Sequence, residues 1–158
     1  MIHVLPSTRV ALMSDRQRLA HLCTACLQNG LDVQMRAFGQ SMQPSSRDGA
    51  LIRVQPVTPV QVRCGDIILY CREGGVIAHR VVALTRQGGQ LVGLTTRGDA
   101  SFTCDAPVQL HQVLGKVVAV EGQAIEHVRI KPRLRFVFKR WSAWCLRRCG
   151  FQLGNFLQ

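Results

Sequence analysis

Acidic side chains are scarce: nine Asp and Glu stand against twenty Lys and Arg in 158 residues, and none follows Glu126. Lysine is scarcer still, with Lys116 the single example before residue 131. No run approaches the ~18 uninterrupted apolar residues of a membrane-spanning helix, and the first residues lack a secretory signal's basic start and apolar stretch. The expectation is a cytoplasmic, non-spanning chain. Repeats and low-complexity tracts are absent, and a length near the ~100–200 residues of one domain argues against a multidomain enzyme.

What is present supports a packed core. Hydrophobic residues make up 47% of the chain and charged residues 18%, which excludes wholesale disorder. Seven cysteines, an odd number spread from Cys23 to Cys149, fit reduced thiols better than a disulfide framework. The formal charge of +11 favours anionic partners, but eight of the twenty basic side chains lie beyond Glu126. Residues 1–126 hold twelve basic against nine acidic side chains, so the basicity belongs to one tail.

Three segments are expected: an N-terminal helical segment over 1–30, a β-rich unit over 31–126 and a basic aromatic tail over 127–158. Ser14-Asp15-Arg16-Gln17 has the form of a capping box, and Leu19, Leu22, Cys23, Cys26 and Leu27 recur at helical spacing up to Asn29-Gly30, predicting a helix over 15–28. From Leu31 to Ala37 apolar and polar residues alternate, as in a half-buried strand. Further strand-like runs lie at 50–57, 66–71, 76–84, 90–95 and 113–120, with Arg86-Gln87-Gly88-Gly89 reading as a hairpin turn.

The tail carries six of the nine aromatics, at Phe136, Phe138, Trp141, Trp144, Phe151 and Phe156. At 100° per residue, Leu134, Val137, Phe138, Trp141, Trp144, Cys145 and Cys149 share an arc that Lys139, Arg140 and Arg147 avoid, predicting an imperfectly amphipathic helix in which Arg148 falls on the apolar side and Phe136 outside it. It would pack on the β unit, lie on an anionic membrane over residues 131–158, or contact a peptide, protein or nucleic acid. No recognisable motif supports nucleic-acid binding. Cys23 and Cys26 share a helical face, but without a second pair or clustered His they read as small buried hydrophobes rather than zinc ligands, and no metal is expected.

Chemistry-bearing residues occur in a fixed order. Gly39-Gln40-Ser41-Met42-Gln43-Pro44 ends the first strand-like run, and a serine so flanked is well held for nucleophilic work if a base lies nearby. Gly65-Asp66-Ile67-Ile68 follows, then His79-Arg80-Val81-Val82 in an apolar strand, then Thr96-Arg97-Gly98-Asp99 with Asp105 six residues beyond. Gly115-Lys116-Val117 comes last. Each piece alone also suits a structural role: a polar turn, a half-buried imidazole, a Gly-Asp turn.

Taken jointly, over about residues 37–120, the set strongly resembles the signal peptidase I family. It is similar in particular to the branch of archaea, the endoplasmic reticulum and sporulating bacteria, where histidine replaces the general-base lysine. The resemblance implies a mainly antiparallel β fold shared with LexA/UmuD-like self-cleaving proteins, and a serine endopeptidase that cleaves a peptide or protein precursor. Ser41 would be the nucleophile, His79 its general base and Asp105 the acidic partner of His79, with Asp99 supporting the site or substituting in that role. Gly39, Met42 and Pro44 would help position substrate and oxyanion beside Ser41, and small residues would flank the cleaved bond.

The chemistry is coherent on its own terms. An imidazole accepts the serine proton and returns it to the leaving amine, a carboxylate on the other ring nitrogen fixes the tautomer, and the Ser41 N–H is an oxyanion donor. No cofactor is required. The typical family has an apolar N-terminal anchor where this chain has Arg16, Arg18 and His21, so leader-peptide maturation in the cytoplasm is the expected setting. The competing readings are a non-catalytic peptide-, lipid- or nucleic-acid-binding module on the same fold, and a self-cleaving regulator, the latter opposed by the absence of lysine at the place of His79.

Overall fold

A computed structural model describes residues 14–125. The chain divides into two units, Met1–His127 and Val128–Gln158. The expected amphipathic helix, Cys145, Cys149 and the membrane-contact segment 131–158 lie outside the described residues.

Helix α1 (Asp15–Gln28) begins where the local sequence sets it. Ser14 Oγ accepts from the Gln17 N–H at 3.3 Å while Gln17 Oε1 accepts from the Ser14 N–H at 2.8 Å, so two otherwise orphaned donors are satisfied reciprocally. It ends at Asn29-Gly30, where Gly30 takes φ +77° and the Leu31 N–H returns to the Cys26 carbonyl at 3.0 Å. Its buried stripe is Ala20, Cys23 and Leu27, narrower than the apolar spacing predicts, because Leu19 and Leu22 face solvent.

Among the described residues seven strands follow: β1 (Val33–Ala37), β2 (Ala50–Pro56), β3 (Ile67–Arg72), β4 (Gly75–Gln87), β5 (Gln90–Arg97), β6 (Val113–Val120) and the short β7 (Gln123–Ala124). They form one sheet in the order β1-β2-β6-β3-β4-β5, with β7 paired to β6 and every pairing antiparallel. Over the described residues the fold is thus mainly antiparallel β, with one α-helix near the N-terminus. β4 runs past the expected Leu84 because Thr85, Arg86 and Gln87, polar and turn-like in sequence, pair with Gly93, Leu91 and Gln90. The turn shrinks to Gly88-Gly89, both at positive φ, as a two-residue hairpin loop requires.

Two cores flank the sheet, and the alternation of β3 between them explains its unbroken apolar run. Ile67 and Leu69 join Cys23, Leu27, Met42, Ile52, Val54 and Val117 in one cluster, so α1 closes that face. Ile68 and Tyr70 join Val62, Val81, Leu91, Leu94 and Val108 in the other. Among the described residues, no helix is long and apolar enough to cross a membrane.

Candidate active site

The loop between β1 and β2 carries Ser41. Gly39, at φ +112°, turns the chain out of β1, and its N–H donates to Asp48 Oδ1 at 2.7 Å, drawing the loop closed. Met42 is buried in the helix-side core and anchors the segment, while Ser41 is half-buried and Gln40 and Pro44 are exposed. The Ala100 N–H donates to the Ser41 carbonyl at 2.8 Å, tying the serine to the loop after β5.

His79 lies on β4 one residue before the Arg80↔Arg97 pair at which β5 ends, so β4 has no β5 partner alongside His79 and the serine loop enters there. Ser41 Oγ is 2.9 Å from His79 Nε2, and His79 Nδ1 is 2.7 Å from Asp105 Oδ2. A hydroxyl, an imidazole and a carboxylate separated by 38 and 26 residues therefore form one continuous hydrogen-bonded line. The His79 and Asp105 side chains are 14% and 20% exposed, which shields the line from water while leaving an approach to it.

Electrostatics assign the protons. Burial pushes the Asp105 carboxyl upward, but hydrogen bonds from His79 and Thr96, the His79 charge and the Tyr70 hydroxyl outweigh it and hold the group below its ordinary value. A carboxylate only accepts, so in the neutral imidazole Nδ1 is the nitrogen that donates to Asp105 and Nε2 is the one left to accept from the Ser41 hydroxyl.

Asp99 sits elsewhere. Arg80 grips it with two bonds, Nε to Oδ1 at 2.7 Å and a terminal nitrogen to Oδ2 at 2.6 Å, and Ser45 Oγ donates to the same Oδ2. Arg80 also donates to the Gly65 carbonyl at 2.8 Å and to Ser45 Oγ at 3.0 Å. Burial raises the Asp99 pKa, the Arg80 and Ser45 bonds and the Arg80 charge lower it further than burial raises it, and the net direction is down. This network joins the serine loop, β4 and the Gly98-Asp99 loop, so Asp99 braces the site while Asp105 is the carboxylate that meets the imidazole.

Lys116 is engaged away from the serine: its Nζ is 2.8 Å from Asp66 Oδ1, and the Asp66 side chain is fully buried. Cys23 is a buried free thiol, 3.9 Å from the Met35 sulfur, with its pKa raised mainly by burial. Sequence reasoning missed Ser45, Tyr70 and Thr96. Thr96 stands beside the Arg-Gly-Asp string and Ser45 just after the serine motif, but Tyr70 lies in an apolar run that signals only core.

No protein-family model matches the chain. A stretch of 71 residues is 37% identical to signal peptidase I W of Bacillus subtilis (strain 168). That stretch covers 43% of this chain and 37% of that protein, so the likeness extends over little more than a third of the relative's length. What the chain is similar to over those residues is a signal peptidase I.

Proposed function

We propose that the chain is a serine endopeptidase of signal-peptidase-like type that cleaves a peptide or protein precursor through an acyl-enzyme. The observation that carries this reading is the unbroken line from Ser41 Oγ through His79 to Asp105, with bonds of 2.9 and 2.7 Å. Partial similarity to a signal peptidase I supports the same class of substrate.

In this mechanism Ser41 Oγ attacks the scissile carbonyl as His79 Nε2 takes its proton. Asp105 stabilises the imidazolium that results, and the Ser41 N–H donates to the oxyanion. The imidazolium then protonates the leaving amine, and the acyl-enzyme forms. Water, deprotonated by the same nitrogen, releases the acyl group and restores the serine. Histidine is the base here because it is the group bonded to Ser41, whereas the Lys116 ammonium is bonded to Asp66. The histidine-containing branch of the family is the one whose chemistry fits, and maturation of a leader-bearing precursor is the matching task.

The test is cleavage of precursor-like peptides with small residues at the cut, together with labelling by a fluorophosphonate or peptide aldehyde. Ser41→Ala is expected to abolish both, and His79→Ala to lower cleavage by roughly 10⁴-fold or more. Cleavage that survives loss of the Ser41 hydroxyl would overturn the assignment.

A further inference from the structure

Three donors converge on one oxygen. Asp105 Oδ2 lies 2.7 Å from His79 Nδ1, 2.7 Å from Thr96 Oγ1 and 3.3 Å from the Tyr70 hydroxyl. They come from three adjacent strands, Tyr70 from β3, His79 from β4 and Thr96 from β5. Directly paired residues share a face, and so do residues two apart on one strand. The pairs Ile68↔His79 and Val81↔Thr96 therefore send all three side chains to the same side of the sheet. The Asp105 N–H also donates to the Thr96 carbonyl at 2.9 Å, so Thr96 holds residue 105 by both main chain and side chain.

Burial makes the arrangement informative. Tyr70 and Thr96 are both 0% exposed, and a buried hydroxyl is costly unless it is bonded. Phenylalanine and valine would fill nearly the same space without that requirement. Thr96 Oγ1 also stands 3.4 Å from the Tyr70 oxygen, but it has one proton, and the nearer carboxylate takes it. Both hydroxyls then donate to Asp105, whose terminal torsion would be broad without such anchors.

We propose that Tyr70 and Thr96 are positioning residues for peptide cleavage, acting through Asp105 to hold His79 in the tautomer and ring plane that aim Nε2 at Ser41. This rests on the peptidase reading above. Residue by residue, β3 contributes Tyr70 with the Arg72 guanidinium 5.3 Å from its ring centroid, β4 contributes His79, and β5 contributes the neutral Thr96. Arg72 itself is bonded to the Ala106 and Pro107 carbonyls, which fixes the chain just after Asp105. Removing a hydroxyl leaves a less restrained and more basic carboxylate, which keeps the proton on the imidazole to higher pH.

The full-length chain is tested as Thr96→Val, Tyr70→Phe and Thr96→Ser with two readouts: titration of the His79 ring by NMR in a Ser41→Ala background, and the pH profile of peptide cleavage with Ser41 intact. Thr96→Val is expected to move the ring midpoint and the acidic limb of kcat/KM upward by about one pH unit, since a bond to a charged group is of that order. Tyr70→Phe moves both the same way by less, its bond being longer, and Thr96→Ser restores the original values. At the high-pH plateau kcat falls about tenfold in Thr96→Val while KM holds, as for a group that acts on the chemical step. Folded Thr96→Val and Tyr70→Phe chains with unmoved midpoints and limbs would overturn the proposal; if Thr96→Val fails to fold, Tyr70→Phe and Thr96→Ser decide it by the same criteria. Cleavage undiminished in Ser41→Ala overturns the peptidase reading and this role with it, whereas Ser41-dependent cleavage with unmoved titrations overturns the positioning role alone.

Discussion

Replacing Gly98 by alanine is expected to disable the site while leaving the sheet folded. Gly98 is buried, and a Cβ there would lie 2.6 Å from the Ser41 carbonyl oxygen, 3.0 Å from Ser41 Cβ and 2.9 Å from Ser101 Oγ. The constraint is space, and much of it is main chain. The Ser101 hydroxyl rotates aside at little cost, but carbon–oxygen contacts settle near ~3.3 Å or more, so the overlap with the Ser41 carbonyl is about 0.7 Å. That carbonyl is also held by the Ala100 N–H at 2.8 Å. A retreat of about 0.7 Å by Ser41 would stretch its 2.9 Å bond to His79 beyond the ~3.2 Å limit of a good hydrogen bond. Misplacement of that order costs roughly 10²-fold in rate, and overpacking a buried position costs about 1–3 kcal/mol of stability. The assay is kcat/KM on a precursor peptide together with thermal unfolding: a cooperative melt at a lower midpoint, with kcat/KM down about a hundredfold, is expected. A Gly98→Ala chain with undiminished kcat/KM would refute the claim that this glycine exists to let the two loops touch.

Asp99 and Asp105 both have folded-state pKa values below the ordinary carboxylate value, so the unfolded chain binds protons more readily; the stability they contribute is present above pH ~4 and is lost as pH falls through the lower folded values. The urea midpoint should therefore decline below about pH 4, and Asp99→Asn should flatten that decline while costing about 3–5 kcal/mol at neutral pH by stranding the buried Arg80; an unchanged pH dependence would show that Asp99 is not linked to folding. Lys116→Met should lower stability by about 1–3 kcal/mol, because Asp66 loses its ammonium partner, yet leave kcat/KM within a few fold. Collapse of cleavage in folded Lys116→Met would instead point to lysine as the base. Deleting residues 131–158 removes seven basic side chains and is expected to weaken sedimentation with anionic vesicles while sparing cleavage of a short soluble peptide; undiminished vesicle binding would assign that segment another role.

Much of the framework is legible without coordinates because it is set by short-range effects. The capping box and the Asn-Gly stop bound α1 residue for residue, since both act within one turn of the helix. Alternation and Gly punctuation locate six strands, but their ends follow cross-strand pairing: β4 extends over Thr85–Gln87 only because β5 lies opposite. The two-residue β7 emerges only because Gln123 and Ala124 find Val120 and Ala119 across a tight turn at Glu121-Gly122. Leu19 and Leu22 show the limit on the helix, where spacing marks an apolar face but not how much of it the sheet covers.

For the site, the chemical repertoire is legible along the chain: a serine held between Gly39 and Met42, an imidazole in an apolar strand, two carboxylates six residues apart and no lysine at the place of His79. Which of these groups meet is set by how the strands and loops pack. Asp99 and Asp105 share one loop and nothing local distinguishes them; Asp105 meets His79 because its N–H is caught by the Thr96 carbonyl, while Arg80, one residue from His79 and on the opposite face, captures Asp99. The hydroxyls of Tyr70 and Thr96 were invisible for the same reason. A side chain's role at this site depends on which oxygen it reaches across strands 26 or more residues away in sequence for Tyr70 and His79, and that distance is closed by sheet register rather than by any neighbour along the chain.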